Sequence, residues 1–525
     1  MLAAVSAQVK NFVLAGPEKI AVDQALQGFW LLVEAVQDAA DNRKPVHQVE
    51  QTLFGQLLVI GRQLLEVFLL KSGDGDAGPE LALSAAAPDR TPTFLPRLPE
   101  KHVREYRSIF GDVRIPRVCY GRRKIEAAPL DARLGLPERM YSYVFQQWLA
   151  AFSINDAHAE AIEKLRNILG LNISVKAAED LNVEQAASVE SYRQARPRPD
   201  PKTEQELLVI AADCKGVPIV REKPDPTPPD SPAADSTSTP AEAAPSHEAK
   251  HRRGKGEKAD KKKMAAVGAA YTIAPFPRTA DDVIKELNRE EAAERRPRPQ
   301  NKLVRAELLT GKIGLFAWLA AQVVLRNRRG RKKVIYLCDG ERALRDRQKE
   351  FLPEAVIAIL DLFHVLEKLW QAAWCFFIEG DKDDKKRAEA WVEQRLRMLL
   401  EGKVGYVVGG LRQMLTKRDL KGKKRKTLQT VIGYFHRNRE RMKYDEYLAA
   451  GYPIGSGAVE GACRHLVKDR MERTGMRWQP AGAQAMLDLR STYLNAEWEG
   501  FWTHHITREN NRLYGRLCGK NGTGR

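Results

Sequence analysis

Residues 334–344 read VIYLCDGERAL. An apolar, β-branched and aromatic run climbs from Val334 to Cys338, meets Asp339 and Gly340, and then turns to charge. Such a run has the composition of a buried strand, and a carboxylate at its polar end needs a reason. The chain repeats the design at residues 207–216, LLVIAADCKG, where the apolar run leads to Asp213. If the two strands pair side by side in a mixed sheet, Asp213 and Asp339 come close together. They then lie where helices and loops meet, in the kind of crevice where open α/β sheets collect ligands. Two carboxylates held that close raise each other's pKa. A divalent cation removes the conflict, and Mg²⁺ prefers carboxylate and water oxygens while keeping room for substrate phosphates.

The flanking sequence supplies an order of elements. From Leu207 the pattern predicts a strand, a turn at Lys215-Gly216 and a second strand, VPIVRE. Residues 223–262 are Pro/Ser/Ala-rich and then basic, a composition expected to be disordered. MAAVGAAYTIAPF from Met264 predicts a third strand, which makes the stretch before it a long loop between strands two and three. Helical patterns follow at 279–294 and 314–333. After VIYLCDGERAL, residues 355–377 read as a short strand running into a long buried helix. Three antiparallel strands, helix, strand, strand, helix is the order of the ribonuclease H fold. In that fold, carboxylates from the first and fourth strands and from a later helix bind two metals. Two such ions activate a nucleophile and stabilise the leaving oxygen of a phosphodiester. A lone CDG is more simply a turn or strand-end residue; the matched pair in this order carries the inference.

The third carboxylate is sought in GYPIGSGAVEGACRHLVKDRM, residues 451–471, which offers Glu460. Gly455-Ser456-Gly457 allows close backbone approach to a phosphate, and Ser456 is placed to N-cap the helix that follows. Arg464 and Lys468 lie one and two turns beyond Glu460 and are expected on its face. That arrangement suits a metal ligand beside a DNA backbone. It is also the spacing of an ordinary ion pair on a solvated helix.

Elsewhere the chain is informative in outline. It has 525 residues, enough for several domains, and a formal net charge of +18 that points to a polyanionic partner. Its six cysteines are scattered without a CxxC pair, so neither a zinc ribbon nor a disulfide framework is expected, and reduced thiols in a cytoplasm are the default. No signal peptide is read at the N-terminus. The apolar stretches are too short or carry internal charges such as Arg62 and Glu66, so no membrane span is expected. Residues 1–70 predict helices, and a linker runs to about residue 100. Residues 102–135 predict a small strand-bearing element that Cys119 alone cannot equip with zinc. NDAHAEAIEKLRNILG, a turn at Gly170, and a second helix near Ser174–Leu181 have helix-turn-helix spacing. The second helix is then a candidate for a major groove, or the pair is an ordinary helical hairpin.

Four stretches together resemble bacterial insertion-sequence transposases of the DDE type, in the ISKra-like group allied to Mutator-like elements. They are AADCKGVPIVRE, KMAAVGAAYTI, YLCDGERALRDR with ILDLFHVLEKLW, and GYPIGSGAVEGACRHLVKDRMERTGMRW. The resemblance implies Asp213, Asp339 and Glu460 as catalytic residues and ligands of two Mg²⁺ ions, with Mn²⁺ as a substitute. Mutator-like enzymes also carry a Cys-or-Asp, two residues, His signature, matched here by Asp361 and His364 in DLFH. Asp361 also ends an apolar strand, so it is an alternative second ligand to Asp339; otherwise the pair caps a helix. Tyr452 precedes Glu460, but no arginine lies between them, so the Tyr–Arg–Glu–Lys pattern of other transposases does not apply.

The implied architecture is an α/β ribonuclease H-like catalytic domain with an all-helical insertion, plus a mainly helical N-terminal DNA-binding region. The expected segments are 1–100, 101–200, the core over 201–364, the helical insertion over 365–452, and the rest of the core with C-terminal helices over 453–525. The implied activity is binding of terminal inverted repeats in double-stranded DNA, metal-dependent cleavage at the ends, and transfer of a 3′-hydroxyl to target DNA. A homodimer or larger assembly in a bacterial, nucleoid-associated cytoplasm is expected. Phosphate contacts are assigned to Arg328, Arg329, Arg331, Lys423, Lys424, Arg425, Arg464, Lys468, Arg473 and Arg477, which makes binding salt-sensitive. The competing expectations are a nuclease on the same fold without strand transfer, and a purely DNA-binding derivative.

Overall fold

The computed structural model describes residues 16–84, 93–220, 262–290, 296–473 and 475–517. The chain divides into two compact units, residues 1–197 with 488–525, and residues 198–487. The segment from residue 488 onward therefore groups with the N-terminal unit, and residues 453–487 with the sheet-bearing unit.

In the first unit, helices α1 (Pro17–Asp41) and α2 (Val46–Lys71) are joined by a short connection and pair along their length. Small residues of α1, Ala21, Ala25 and Ala39, are buried, which lets the partner approach. Leu65 and Leu69 of α2 pack on Val113 and Ile115 of a strand hairpin, so α2 has a protein-facing side. An adjoining strip of the helix leaves Phe54, Leu57, Leu64 and Phe68 about half exposed. α2 is long and apolar enough to cross a membrane by length and composition alone. The stretch read as a linker contains a two-stranded ribbon, β1 (Glu80–Leu83) with β2 (Thr93–Pro96). A second antiparallel pair follows, β3 (His102–Ser108) with β4 (Gly111–Arg117). Helix α3 (Tyr143–Asn155) precedes α4 (His158–Leu169), which ends at Gly170 in the left-handed conformation that glycine adopts without strain. Helix α5 (Val175–Ala186) starts at Ser174, whose side chain accepts from the Ala177 N–H.

The second unit is built on five strands, β5 (Leu207–Pro218), β6 (Lys262–Ile273), β7 (Gln300–Glu307), β8 (Lys333–Cys338) and β9 (Ile357–Leu360). Their order across the sheet is β7-β6-β5-β8-β9. β5 and β6 pair antiparallel from Leu207↔Ile273 to Pro218↔Lys262, and β7 pairs antiparallel to β6. β8 runs parallel to β5, and β9 parallel to β8. The expected turn at Lys215-Gly216 does not form, because the ladder to β6 continues through both residues to Pro218. A Cβ at Gly216 would lie 2.9 Å from the Lys262 side chain, so glycine serves cross-strand packing there. Val217 and Pro218 of VPIVRE thus end the first strand, and MAAVGAAYTI lies in the second. The long insertion sits between strands one and two. The disorder expected over 223–262 lies outside the described residues, except that Lys262 already belongs to β6.

The third strand is β7, QNKLVRAE, between helices α6 (Ala280–Leu287) and α7 (Gly311–Arg326). The helix expected to continue to residue 294 is helical only to Leu287. α7 lies on β6 at Gly268, where a Cβ would meet Leu315 at 2.7 Å. Leu207–Ala212 are all buried, as in a strand covered on both faces. Arg326 at the end of α7 and Glu204 just before β5 form a buried ion pair at 2.6 Å, with Lys332 at 3.5 Å from the same carboxylate. Helix α8 (Arg342–Phe351) follows β8, and α9 (Leu362–Ala373) follows β9. Beyond α9 come α10 (Lys382–Leu400), α11 (Val404–Lys417), α12 (Gly422–Asn438) and α13 (Tyr444–Ala449), with no strand among the described residues up to 452.

Candidate metal centre

The three parallel strands set the geometry. Ala212 is in register with Cys338, and Cys338 with Leu360. The next residues, Asp213, Asp339 and Asp361, therefore form one row across β5, β8 and β9, with backbones about 4.8 Å apart strand to strand. β8 and β9 end at this row, whereas β5 continues past Asp213 to Pro218.

Each aspartate is held by its own contacts. Asp213 Oδ1 accepts from the Cys214 N–H at 2.6 Å, and Oδ2 from the Cys463 thiol at 3.2 Å. Asp339 Oδ1 accepts from the Glu341 N–H at 2.7 Å, while the Tyr434 hydroxyl donates to the Asp339 carbonyl at 2.5 Å. Asp361 is fully buried and caps α9, with Oδ1 accepting from the Phe363 N–H at 2.8 Å. Its Oδ2 accepts from the Ser456 N–H at 3.2 Å.

Glu460 enters from helix α14 (Gly457–Ala462), which Ser456 precedes. Ser456 makes no side-chain cap; its backbone N–H serves Asp361 instead, so the glycine-flanked loop anchors a carboxylate. Ligand atoms of Asp361, His364 and Glu460 lie within 4.8 Å of one another, a separation that a single cation can bridge. Asp213 and Asp339 belong to the same electrostatic neighbourhood. Burial lifts the Asp339 carboxyl above its usual range, and the Asp213 charge adds to the rise. Burial likewise raises Glu460, opposed by His364 and reinforced by Asp213. Burial pushes Asp361 up to about 7, with Glu460 adding to the rise and the Phe363 N–H and His364 opposing it. Several carboxylates held above their ordinary pKa values form a set that a hard dication neutralises.

The cationic residues assigned to phosphate are less concentrated. Arg328, Arg329 and Arg331 are exposed in the turn before β8, at the opposite end of that strand from Asp339, roughly 20 Å away for its length. Lys423, Lys424 and Arg425 are exposed in the first turn of α12. Tyr434, which touches the Asp339 backbone, lies about 15 Å further along that helix. Arg464 and Lys468 are exposed and follow Glu460 along the chain, but a π-helical turn over Cys463–Lys468 breaks the regular spacing from Glu460. Arg477 is exposed and Arg473 half-buried. On α5 the exposed side chains include Glu179 and Glu184, with Asp180 half-exposed beside Lys176, an acidic balance that gives a DNA groove no electrostatic help.

Residues that sequence reasoning passed over are Tyr434, Cys463 and the backbone of Ser456. Their roles depend on tertiary contacts, and no local pattern marks them. Comparison of the chain with known protein families finds no family that matches, and comparison with curated proteins finds no match.

Proposed function

We propose that this chain is a metal-dependent DNA transposase with a ribonuclease H-like catalytic domain. The observation that carries the proposal is the row of Asp213, Asp339 and Asp361 across three parallel strands, with Glu460 and His364 brought to the same end of the sheet. The strand order, with the first strand central, antiparallel to the second and parallel to the fourth, supports the fold assignment. The net charge of +18 supports a polyanionic substrate.

The donor set fits hard divalent cations, because its members are mostly carboxylates whose charges conflict without one. Asp213, Asp339 and Glu460 would hold two Mg²⁺ ions, with Asp361 and His364 as further donors. Ions bound there supply Lewis acidity toward the attacking and leaving oxygens of a phosphodiester. The protein's own part is positioning. Ser456 and Phe363 N–H groups fix both oxygens of Asp361, and Cys463 and Cys214 fix those of Asp213. Arg464 and Lys468, exposed and following Glu460 along the chain, are assigned to a DNA phosphate. Two element ends must be joined, and the half-exposed apolar side of α2 is the surface assigned to pairing of two copies.

The deciding experiment incubates the protein with Mg²⁺ and labelled DNA carrying the ends of its own element. Cleavage with joined product is expected. Asp213→Asn, Asp339→Asn and Glu460→Gln should each reduce it by at least about 10³-fold, the scale of losing transition-state charge stabilisation, while DNA binding is retained. Cleavage without joining would identify a nuclease; binding without any cleavage would identify a DNA-binding derivative.

A further inference from the structure

Beside the carboxylates lies a cavity of about 570 Å³ that none of the residues above accounts for. It borders the segments that carry the site: Leu362 and Phe363, which lie between Asp361 and His364, and Gly455 and Gly457, which flank Ser456, line it. Its walls combine two chemistries. Phe363 is 43% exposed, although its neighbours in α9 pack into the core, and its ring rests against Gly455. Phe276 offers a second ring, with the Arg278 guanidinium 5.7 Å from its centroid. Around them stand Arg278, Arg289, Arg296 and Lys302 against one lining carboxylate, Glu286.

Arg278 is the telling residue. Its side chain is 8% exposed, and its Nε and Nη1 are buried without a hydrogen-bond partner. The nearest carboxylate, Glu286, is 3.7 Å from Nη1 and is engaged by Arg296. Two buried guanidinium nitrogens without hydrogen bonds cost stability, so they mark a place where an acceptor is expected to enter. A guanidinium takes a phosphate in its planar fork. Exposed aromatic rings take a planar heterocycle by stacking, with little regard to which base it is.

We propose that this cavity receives an unpaired nucleotide of the DNA substrate, next to the phosphodiester held at the carboxylates. The base stacks on Phe276 and Phe363, and its phosphate pairs with Arg278 and Arg296. The assignment rests on the DNA-processing function proposed above and adds to it a demand for locally opened DNA. Opening a duplex costs a few kcal/mol per base, and a pocket that stacks the released base offsets that cost. A nucleoside phosphate free in solution has the same chemistry, so the test separates the two sources.

The full-length protein is titrated, in Ca²⁺ to hold back cleavage, with a short perfect duplex, with the same duplex bearing one bulged 2-aminopurine, and with 2-aminopurine deoxyribonucleoside 5′-monophosphate alone. The expected result is about tenfold tighter binding of the bulged duplex, the scale of one base–aromatic stack. The 2-aminopurine should also be shielded from acrylamide quenching. Phe363→Ala, Phe276→Ala and Arg278→Gln should remove the preference and the shielding while leaving affinity for the perfect duplex. Arg296→Gln, at an exposed position, gives the same reading if Arg278→Gln fails to fold. Equal binding of perfect and bulged duplexes overturns the pocket assignment and leaves the DNA-processing function standing. Failure to bind either duplex overturns both. Tight binding of the free nucleotide without a bulge preference shows a metabolite site and also overturns the proposal.

Discussion

Asp361 sits at the crossing of two demands. It must be buried to cap α9 and order the Ser456 loop, and burial is what pushes its carboxyl up to about 7. With no cation bound, the folded protein holds this proton at pH values where the unfolded chain, with a carboxylate near 3.9, has released it. The stabilising contribution is therefore full at low pH and is lost as pH rises through about 7. Asp339 and Glu460, also raised, act in the same sense. In EDTA, the apo protein should melt at a higher temperature at pH 6 than at pH 8 by this contribution, and Asp361→Asn should flatten the difference. Mg²⁺ binds the ionised form, so the rise in Tm on adding Mg²⁺ should be larger at pH 8 than at pH 6. Thermal melts of the two proteins across that range check both signs; a Mg²⁺ effect that grows toward pH 6 would sink the metal assignment. The apolar run before Asp361 makes the residue visible in the sequence. Its second partner, the Ser456 N–H, lies 95 positions away and is not.

Among the elements, β8 and β9 are legible because they are short, apolar apart from Lys333, and end on charge. β7 is not: the first half of QNKLVRAE alternates between exposed and partly buried positions at the sheet's edge, and its polar residues resemble a loop. The misplaced turn in β5 has a related cause. Lys215-Gly216 is turn chemistry locally, but twelve paired residues outweigh it. The basic stretch RNRRGRKK also divides on folding. Arg326, its first residue, is withdrawn from any DNA role by Glu204, which accepts from its Nη2 at 2.6 Å and Nε at 3.2 Å. Asn301 of β7 donates to the same carboxylate at 3.0 Å, so Glu204 ties α7 and β7 to the start of β5. Glu204→Ala leaves a buried guanidinium without its counter-charge and should destabilise the second unit by about 3–5 kcal/mol. Denaturant unfolding reads that loss directly. A change within about 0.5 kcal/mol, the range of ordinary surface substitutions, would show that Arg326 finds water or another acceptor.

For the molecule as a whole, charge and apolar exposure fall in different places. α1 carries five acidic residues against Lys19 alone, so the helical hairpin is poorly suited to DNA or to an anionic membrane. Phe54, Leu57, Leu64 and Phe68 recur at heptad-like intervals along α2, with Gly61 between them and Phe110 over that glycine. Phe110 covers the middle of this seam, and the exposed residues on either side of it are the strip assigned to another helix. Leu57→Glu with Leu64→Glu, both at exposed positions, should convert a dimer of the intact protein to a monomer without lowering its Tm. Sedimentation equilibrium is the measurement, and a wild-type protein that is monomeric at micromolar concentration would refute the pairing. The insertion after β5 has a different bearing on the whole. Pro218 and Lys262 face each other across the ladder, so the polypeptide departs and returns at adjacent points. The sheet's alignment is consequently indifferent to the length of what is spliced between them. Replacing residues 223–259 by a short glycine-containing connector should preserve the fold and raise its stability by about 1–2 kcal/mol through cheaper loop closure. A shortened protein that no longer folds would mean that the excised segment itself braces the sheet. If it folds, this is the natural port for grafting a foreign domain onto the protein.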